Sequence, residues 1–295
     1  MSGNARESGR STIDRLLSLL DVFDGGDLTL AEVSERSGLP LTTTHRMLAA
    51  LEQWGGVERE VESGGYRVGM RLWELGTRAT GPSRLRELAL PIMQDLYEST
   101  HQNVQLAVLD HGTALVIERL TGRRAVRTAT EVGGRLPLHA TGVGKALLAS
   151  SPATLHALTS RRLTRYTPHT LVMPGALAAA VERARATSLA YSREEMTLGA
   201  ASLATTVDVG HESRSAAIGI VTHSRVDLAR YEGMVHRAGR SLSRAMREDD
   251  AGEMSPLVRS VEAVQTHLRR SHQLVAASRR TGLEHARAGR SGDVA

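Results

Sequence analysis

Five consecutive residues, Thr42-Thr43-Thr44-His45-Arg46, combine short hydroxyl side chains with a guanidinium group. Hydroxyl groups can hydrogen-bond to base edges or phosphates, a threonine methyl group can contact a thymine methyl, and an arginine can bind guanine through two parallel hydrogen bonds. The apolar residues Met47, Leu48 and Leu51 recur at helical spacing, which places the run on an amphipathic helix. The pattern therefore predicts a helix that contacts base pairs.

The surrounding sequence predicts a winged helix-turn-helix. A shorter helical pattern begins after Thr29-x-x-Glu32, which predicts a capping box, and ends at Gly38. Pro40 then imposes an extended step before the second helix. Gly55-Gly56 ends that helix, and two short strand patterns flank a turn at 62–65. The second helix can enter the major groove, while the hairpin forms a wing that can touch the phosphate backbone.

The predicted DNA contacts lie on the helices and the wing of this domain. They are Arg36, Thr42, Thr43, Thr44, His45 and Arg46 on the helices, and Ser63, Gly64 and Arg67 on the wing. No acidic residue lies between Arg36 and Leu51, so the helical face is locally basic. Two alternatives stay open, because Arg46 could instead stabilise the fold through a salt bridge, and the glutamates at 58, 60 and 62 could keep phosphate away from the wing.

A second candidate site is the segment Gly142-Val143-Gly144-Lys145. It does not match a phosphate-binding P-loop, because His139 occupies the first required glycine position and Ala146 follows the lysine. Thr141 predicts a helix N-terminus here, whose free N–H groups and dipole would bind an anionic ligand. The alternative is that the small residues only allow close packing of the helix on a sheet, with Lys145 as a structural residue.

Acid–base and metal chemistry have weaker support. Glu194 and Glu195 resemble a carboxylate pair, but no nucleophile with a neighbouring base accompanies them, which favours a role in a pocket wall or a helix cap. The twelve histidines include no His-Glu-x-x-His motif, and His139 is expected to make a packing hydrogen bond. The sequence thus predicts no catalytic residue, no metal site and no cofactor.

Composition narrows the class of protein. The 295 residues include no cysteine, which excludes disulfides and thiolate metal sites. No apolar run is long enough to span a bilayer, and the polar N-terminus lacks the apolar core of a signal peptide, so a cytoplasmic protein without membrane contact is expected. The net charge is +5, yet residues 1–80 hold nine arginines and twelve acidic residues, which predicts a weak non-specific affinity for phosphate.

Breaks in the hydrophobic pattern divide the chain into five segments. In chain order they are a disordered N-terminus (1–10), a winged helix-turn-helix domain (11–69), a linker helix (70–82), a sensor domain (83–250) and a partly helical C-terminal extension (251–295). Gly81-Pro82 is expected to end the linker helix, and Pro91 to kink the helix that follows. Helices alternate with strand patterns, which predicts an α+β sensor domain. Asp110-His111-Gly112 between two of the strand patterns predicts a hairpin, and Ala125–Glu131 is a further strand pattern.

The order of these motifs resembles that of the IclR family of bacterial transcriptional regulators, from about Ser11 to Arg247. The N-terminal match includes Leu39-Pro40-x-Thr42-Thr43-x-His45-Arg46-x-Leu48 and Tyr66-Arg67-x-Gly69-x-Arg71-Leu72. The C-terminal match consists of Leu136-Pro137-Leu138-His139-Ala140-Thr141-Gly142-x-Gly144-Lys145-Ala146 and Glu194-Glu195-x-x-x-Gly199.

This resemblance implies a GAF-like, mixed α/β effector-binding domain behind the linker helix, a homodimer or homotetramer, and a small organic acid or aromatic metabolite as the effector. The implied effector-binding residues are Ala125, Thr128, Leu138, Thr141, Gly142, Val143, Gly144, Ser192, Glu194, Ser202, Gly219 and Val221. The chain departs from the family at several of them. Ser202 stands where cysteine is common, and Gly219 and Val221 stand where serines are common.

Together the patterns predict a ligand-responsive transcriptional regulator, a repressor in the commonest case, that binds double-stranded operator DNA and a small-molecule effector. The effector must favour one of two conformations, or binding would shift nothing. Two alternatives stay open. One is a DNA-bound regulator with a ligand-free sensor domain, and the other is an enzyme that acts on a small acid through Glu194, His139 and Lys145.

Overall fold

A helical N-terminal domain and a larger α+β domain make up the computed structural model, which describes residues 11–23, 25–122, 126, 128, 130–210 and 215–249. The predicted disorder of residues 1–10 and the predicted extension over residues 251–295 lie outside the described residues. The predicted fold class, α+β with a winged helix-turn-helix at the N-terminus, is confirmed.

The N-terminal domain consists of three helices followed by a hairpin. In chain order these are α1 (Thr12–Leu20), α2 (Leu30–Ser37), α3 (Leu41–Trp54), β1 (Val57–Arg59) and β2 (Tyr66–Val68). α1 and α2 each begin with a capping box, in which Thr29 pairs with Glu32 at the start of α2, as the sequence predicts. Leu19, Val33 and Leu48 are fully buried between the helices and form the centre of a small core.

The turn between α2 and α3 determines how α3 is presented. Gly38 adopts a left-handed conformation with φ at 67°, which glycine tolerates without steric cost. The Leu39 N–H donates to the Ser34 carbonyl oxygen at 3.2 Å, and the Ser34 hydroxyl donates to the Leu39 carbonyl oxygen at 2.7 Å. Pro40 then adopts extended backbone angles and precedes the first residue of α3. These reciprocal bonds fix the turn against α2.

Two helices connect the domains. α4 spans Met70–Thr77 and α5 spans Thr80–Thr100. The predicted helix break at Gly81-Pro82 is wrong, since the helices separate at Arg78–Ala79 and Pro82 lies in the first turn of α5. A proline there forgoes no intrahelical hydrogen bond, because the first N–H groups of a helix have no partner within it. α5 also continues through Pro91.

The C-terminal domain contains a six-stranded antiparallel sheet. Its strands are β3 (Asn103–Asp110), β4 (Thr113–Leu120), β5 (Arg135–Leu136), β6 (Ala190–Arg193), β7 (Ala200–Val207) and β8 (Ala216–His223), in the order β5-β4-β3-β8-β7-β6. β3 and β4 form the predicted hairpin, with His111 and Gly112 at positive φ in the turn. Ala125 lies outside the described residues, and the described residues of the predicted strand Ala125–Glu131 are not in a strand.

Helices cover both faces of this sheet. α6 (Gly142–Ser150), α7 (Pro152–Thr159) and α8 (Pro174–Thr187) pack on one face, and α5 and the helical residues 232–249 pack on the other. Each face of the sheet has its own hydrophobic core, and consecutive strand residues point into opposite cores. In β8, for example, Ala217 faces α6 and Ile218 faces α5. The sheet is therefore buried on both sides, and α6 lies directly over its centre.

Glycine occupies two of the first three positions of α6, and both are tightly surrounded. A Cβ atom at Gly144 would lie 2.4 Å from the Leu138 carbonyl oxygen, in the segment before α6, and 2.6 Å from the Thr141 hydroxyl. A Cβ atom at Gly142 would lie 2.9 Å from the hydroxyl of Ser202 in β7. The proposed close packing on the sheet therefore holds for Gly142, whereas Gly144 leaves room for the backbone of the segment before the helix.

We predict that Gly144→Ala lowers the free energy of unfolding by about 1–3 kcal/mol or more, because the added methyl group collides with backbone that cannot move independently. Gly175→Ala, at an open position in the first turn of α8, should instead be neutral or stabilising by up to about 1 kcal/mol. Urea denaturation of both variants measures the difference. Equal stability of the two would contradict the close approach at α6.

Candidate DNA-contacting surface and effector cavity

The exposed face of α3 presents the residues that the sequence predicts as base contacts. Thr42, His45 and Arg46 are exposed, and Thr43 is half-buried. Among the described residues, no carboxylate pairs with Arg46, so the alternative of a structural salt bridge is not realised in this part of the chain. The face offers a guanidinium, an imidazole and hydroxyl groups to one groove of DNA.

Thr44 does not belong to that face. Its side chain is fully buried, and its hydroxyl donates to the Pro40 carbonyl oxygen at 3.1 Å. Helical periodicity places it with Met47, Leu48 and Leu51 on the core side of α3. Thr44 therefore cannot contact DNA in this conformation, and the prediction of three adjacent threonine contacts is corrected to Thr42 and Thr43.

The wing carries acidic as well as basic groups. The Arg67 guanidinium lies 2.5 Å from a Glu60 carboxylate oxygen and 3.6 Å from one of Glu58, and the Arg67 side chain is about half exposed. The Ser63 hydroxyl accepts a hydrogen bond from the Gly65 N–H, and Gly64 adopts the left-handed conformation that the turn requires. The charge of Arg67 is thus largely offset within the wing, which weakens its attraction for phosphate.

A cavity of about 490 Å³, including space open to solvent, lies beside the N-terminus of α6. Its wall consists of residues from β3, β5, β6, β7 and β8, from the segment between β4 and β5, from the segment before α6 and from the loop after β6. They are Gln105, Thr128, Thr130, Leu136, Ala140, Thr141, Ser192, Glu195, Met196, Thr197, Ala200, Ala201, Ser202 and Val221. The wall therefore combines hydroxyl groups, one amide and one carboxylate with small apolar side chains.

Some of the predicted effector-binding residues lie on this wall, and others do not. Thr128, Thr141, Ser192, Ser202 and Val221 line the cavity. The remaining described ones are absent from the lining; they are Leu138, Gly142, Val143, Gly144, Glu194 and Gly219. Leu138 and Val143 are instead buried in the core under α6, and a Cβ atom at Gly219 would collide with β7.

The N-terminus of α6 differs from the predicted anion site. The Gly142 N–H donates to the Ser202 hydroxyl at 2.9 Å, and the Gly144 N–H donates to the Thr141 hydroxyl at 3.1 Å. The Thr141 hydroxyl also donates to the Pro137 carbonyl oxygen at 2.9 Å. Two N–H groups that were expected to bind a ligand are thus occupied by protein hydroxyls.

Lys145 and Glu195 form a buried ion pair at the edge of the cavity. The Lys145 ammonium lies 2.5 and 2.7 Å from the two carboxylate oxygens of Glu195, and it donates to the Tyr191 carbonyl oxygen at 2.9 Å. Its side chain is only 2% exposed. Burial lowers the pKa of Lys145 from its ordinary value, while the Glu195 carboxylate opposes that shift. Three acceptors saturate the ammonium, which makes Lys145 a structural residue.

Glu194 points away from the cavity. Its backbone has φ at 56°, and its carboxylate accepts a hydrogen bond from the Gly199 N–H at 2.8 Å. That bond holds the pKa of Glu194 below its ordinary value. Glu194 therefore caps the turn before β7, whereas the neighbouring Glu195 forms part of the cavity wall, so the pair is divided between two roles.

His139 makes the packing hydrogen bond that the sequence predicts, from ring nitrogen Nε2 to the Thr164 carbonyl oxygen at 2.8 Å. Among the described residues, no group of three or more histidine, aspartate or glutamate side chains is arranged to hold a metal ion. Within the same part of the chain, no helix combines the length and apolar character needed to cross a bilayer.

Comparisons with known proteins agree with this arrangement. The family model described as bacterial transcriptional regulator IclR C-terminal matches residues 77–244, and the IclR helix-turn-helix domain matches residues 12–61. The chain is 35% identical over 244 residues to HTH-type transcriptional regulator XynR of Escherichia coli K12, which covers 80% of this chain and 96% of the relative. Transcriptional repressor IclR of the same strain is 31% identical over 246 residues, or 79% of this chain and 89% of the relative.

A solved structure has a similar fold. The crystal structure of an IclR homolog from Microbacterium hydrocarbonoxydans in complex with 4-hydroxybenzoate superposes with a TM-score of 0.75 and shares 30% sequence identity. The match covers 81% of this chain and all of that one.

We predict that Lys145→Met lowers the free energy of unfolding by about 3–5 kcal/mol, because it leaves the buried Glu195 carboxylate without its cation. The double variant Lys145→Met, Glu195→Gln should recover part of that loss, since the remaining amide carries no charge. Arg185→Met, which removes an exposed ion pair with Glu182 and one hydrogen bond to the Ala149 carbonyl oxygen, should cost only about 1–2 kcal/mol. A similar loss for Lys145→Met and Arg185→Met in urea denaturation would show that the buried pair has no special structural role.

Proposed function

The chain belongs to the IclR family of bacterial transcriptional regulators, and we propose that the exposed face of α3 contacts the operator while the cavity beside α6 holds the effector. The N-terminal domain is a helix-turn-helix DNA-binding domain, and the C-terminal domain is an effector-binding domain. The observation that supports the assignment most directly is the exposure of Thr42, His45 and Arg46 after the Gly38 turn.

The contacts with DNA follow from the position of each side chain. Arg46, near the middle of α3, reaches a guanine or a phosphate, and Thr42 and Thr43 contact base edges from the first turn. Arg36 and the backbone of the turn at Ser63 and Gly64 approach the phosphates, while His45 supports the same face. Arg67 is already paired with Glu60, so its contribution to phosphate binding is small.

The effector acts through a change in the balance of two conformations. A small organic acid or aromatic metabolite is the class expected for the family, and the relative from Microbacterium hydrocarbonoxydans holds 4-hydroxybenzoate. A molecule in the cavity touches β3, β7 and β8, and α5 packs on the opposite side of that sheet. A ligand that favours one sheet geometry thereby favours one position of α5 and α4. The relative IclR of Escherichia coli is a transcriptional repressor, and repression is the proposed outcome of operator binding here.

A homodimer, or a homotetramer built from it, would cover apolar side chains that a single chain leaves exposed. α4 has no buried residue, and Met70 and Trp73 are each 63% exposed. Ile13 and Leu17 of α1 are likewise exposed by 68% and 52%. Large apolar residues on two helices of a DNA-binding domain mark a protein interface, and a second copy would present a second α3 to a palindromic operator.

We assign no catalytic reaction to the chain. The matched relatives are regulators, and Glu195, the one carboxylate among the described residues of the cavity wall, binds Lys145 with both oxygens. Access to an operator places the protein in the bacterial cytoplasm.

Arg46→Ala should weaken operator binding by about 1–3 kcal/mol, because it removes a base or phosphate contact from the centre of α3. Arg162→Ala, which removes an exposed arginine from the effector domain, should leave operator affinity unchanged at the same salt concentration. Fluorescence anisotropy with operator and random duplexes measures both. Unchanged affinity of Arg46→Ala would remove this residue from the interface.

Trp73→Ser should weaken self-association, with a rise of about tenfold or more in the dimer dissociation constant, because large aromatic residues dominate interface energies. Met173→Ser, at an equally exposed apolar position before α8, serves as the control and should leave association unchanged. Sedimentation velocity resolves the two cases. A Trp73→Ser protein that associates like the wild type would exclude the outer face of α4 from the interface.

A further inference from the structure

The first turn of α4 is hydrogen-bonded to the end of α3 and to the wing. The Gly69 N–H donates to the Gly56 carbonyl oxygen at 2.9 Å, and the Arg71 N–H donates to the Gly55 carbonyl oxygen at 3.1 Å. The N–H of the residue between them donates to a Glu58 carboxylate oxygen at 3.1 Å. The first N–H groups of a helix have no partner within it, and here three consecutive ones form a junction with the glycines that end α3 and with the first strand of the wing.

Gly69 allows this junction through its small size and not through its backbone angles. Its φ is −87°, which any residue can adopt. A Cβ atom there would lie 2.3 Å from the Gly55 carbonyl oxygen and 3.1 Å from the Gly56 carbonyl carbon. The backbone that follows α3 thus fills the space that a side chain would need, so α4 cannot change its angle to α3 without disturbing these contacts.

The other polar contacts of α4 stay within the helix and its C-terminal cap. Glu74 pairs with Arg71 and Arg78, and the Thr77 hydroxyl donates to the Glu74 carbonyl oxygen at 2.8 Å. Among the described residues, no side chain of α4 makes a hydrogen bond or an ion pair with the C-terminal domain. By its contacts α4 therefore belongs to the DNA-binding domain, and the chain continues into α5 at Arg78–Ala79.

We propose that the junction fixes the distance between the two copies of α3 in the dimer, and that Glu58 and Gly69 are positioning residues for operator spacing. Met70 and Trp73 of α4 are exposed and belong to the proposed interface, so pairing of two α4 helices would place each α3 at a set distance and rotation. One added base pair moves a half-site by about 3.4 Å and rotates it by about 35°. This inference rests on the proposed function, namely operator binding by α3 and self-association through α4.

Duplexes of defined spacing test the proposal. The palindrome that the wild-type chain selects from a randomised library is resynthesised with its halves one base pair closer or one base pair further apart, and also with one half scrambled. Fluorescence anisotropy measures the affinity of the full chain for each duplex at one salt concentration. We expect the wild type to lose about tenfold or more in affinity at either altered spacing.

Gly69→Ala should reduce this spacing preference to about threefold or less, because the added methyl group forces α4 away from the Gly55 carbonyl oxygen. Its affinity for the duplex with one half scrambled should stay within about twofold of the wild type, since the exposed face of α3 is unchanged. Gly76→Ala adds the same methyl group at an open position of α4 and should keep the wild-type spacing preference.

Glu58→Ala tests the junction without adding bulk, and it decides the question should Gly69→Ala not fold. The variant removes the acceptor of the Met70 N–H and should weaken the spacing preference by about threefold. Glu60→Ala is the matched control, because Glu60 lies in the same wing and also pairs with Arg67 but makes no contact with α4. Sedimentation velocity should show that all four variants associate like the wild type.

These measurements separate the possible outcomes. A wild-type spacing preference in Gly69→Ala and Glu58→Ala would overturn the proposal. An equal loss of affinity for the single half-site and for the full duplex, or a loss of self-association, would also overturn it. A wild-type chain that selects a palindrome but tolerates each spacing would refute the rigid junction and leave the regulatory function intact. A chain that selects no duplex over random DNA would refute the function itself.

Discussion

The buried ion pair between Lys145 and Glu195 is the constraint on which the effector domain depends. It joins the first turns of α6 to the loop after β6, two elements 50 positions apart in sequence, and the Tyr191 carbonyl oxygen completes the coordination of the ammonium. Two threonines from the loop before α8 bind the backbone of the loop after β6. The Thr167 hydroxyl donates to the Glu194 carbonyl oxygen, and the Thr170 hydroxyl donates to that of Glu195. A paired charge of this kind costs little once formed, but either partner alone would be a buried, uncompensated ion. Among the described lining residues, the one charged side chain is therefore held in place by contacts from three parts of the chain.

Local patterns were sufficient to predict the DNA-binding domain. The signals that predict this domain each act over a few neighbouring positions, and the structure agrees with them. They are the capping residue Thr29, the turn residues Gly38 and Pro40, and the spacing of Met47, Leu48 and Leu51. The errors arose where two local rules compete. Thr44 shares its type with Thr42 and Thr43, and only the helical period separates a buried threonine from its exposed neighbours. A Gly-Pro pair commonly ends a helix, yet the first turn of α5 accommodates it because no intrahelical bond is lost there.

The sequence indicates where the cavity lies. It does not show which side chains line the wall or which of their neighbouring N–H groups are already hydrogen-bonded. The motif from Leu136 to Ala146 predicts a helix N-terminus, and α6 does begin there, beside the cavity. The occupancy of its N–H groups depends on Ser202, which is 60 positions away from Gly142 and reaches it only through the pairing of β7 with the rest of the sheet. Gln105 was missed as a cavity residue for the same reason, because no short-range signal shows which strand residue faces the cavity. Ser202 stands where the family resemblance leads us to expect a cysteine. Its hydroxyl accepts a hydrogen bond from the Gly142 N–H, so this N–H group is already bound within the protein.

α5 has a mechanical consequence that follows from its length. Its 21 residues span about 31 Å, and Leu85, Ala89, Met93 and Leu96 pack most of that length on the sheet. A tilt of the whole helix by about 6° would move one end by roughly 3 Å relative to the other. That displacement is close to the rise of about 3.4 Å between neighbouring base pairs on one strand. In the proposed dimer, a tilt of that size would be enough to move the two copies of α3 out of phase with their half-sites.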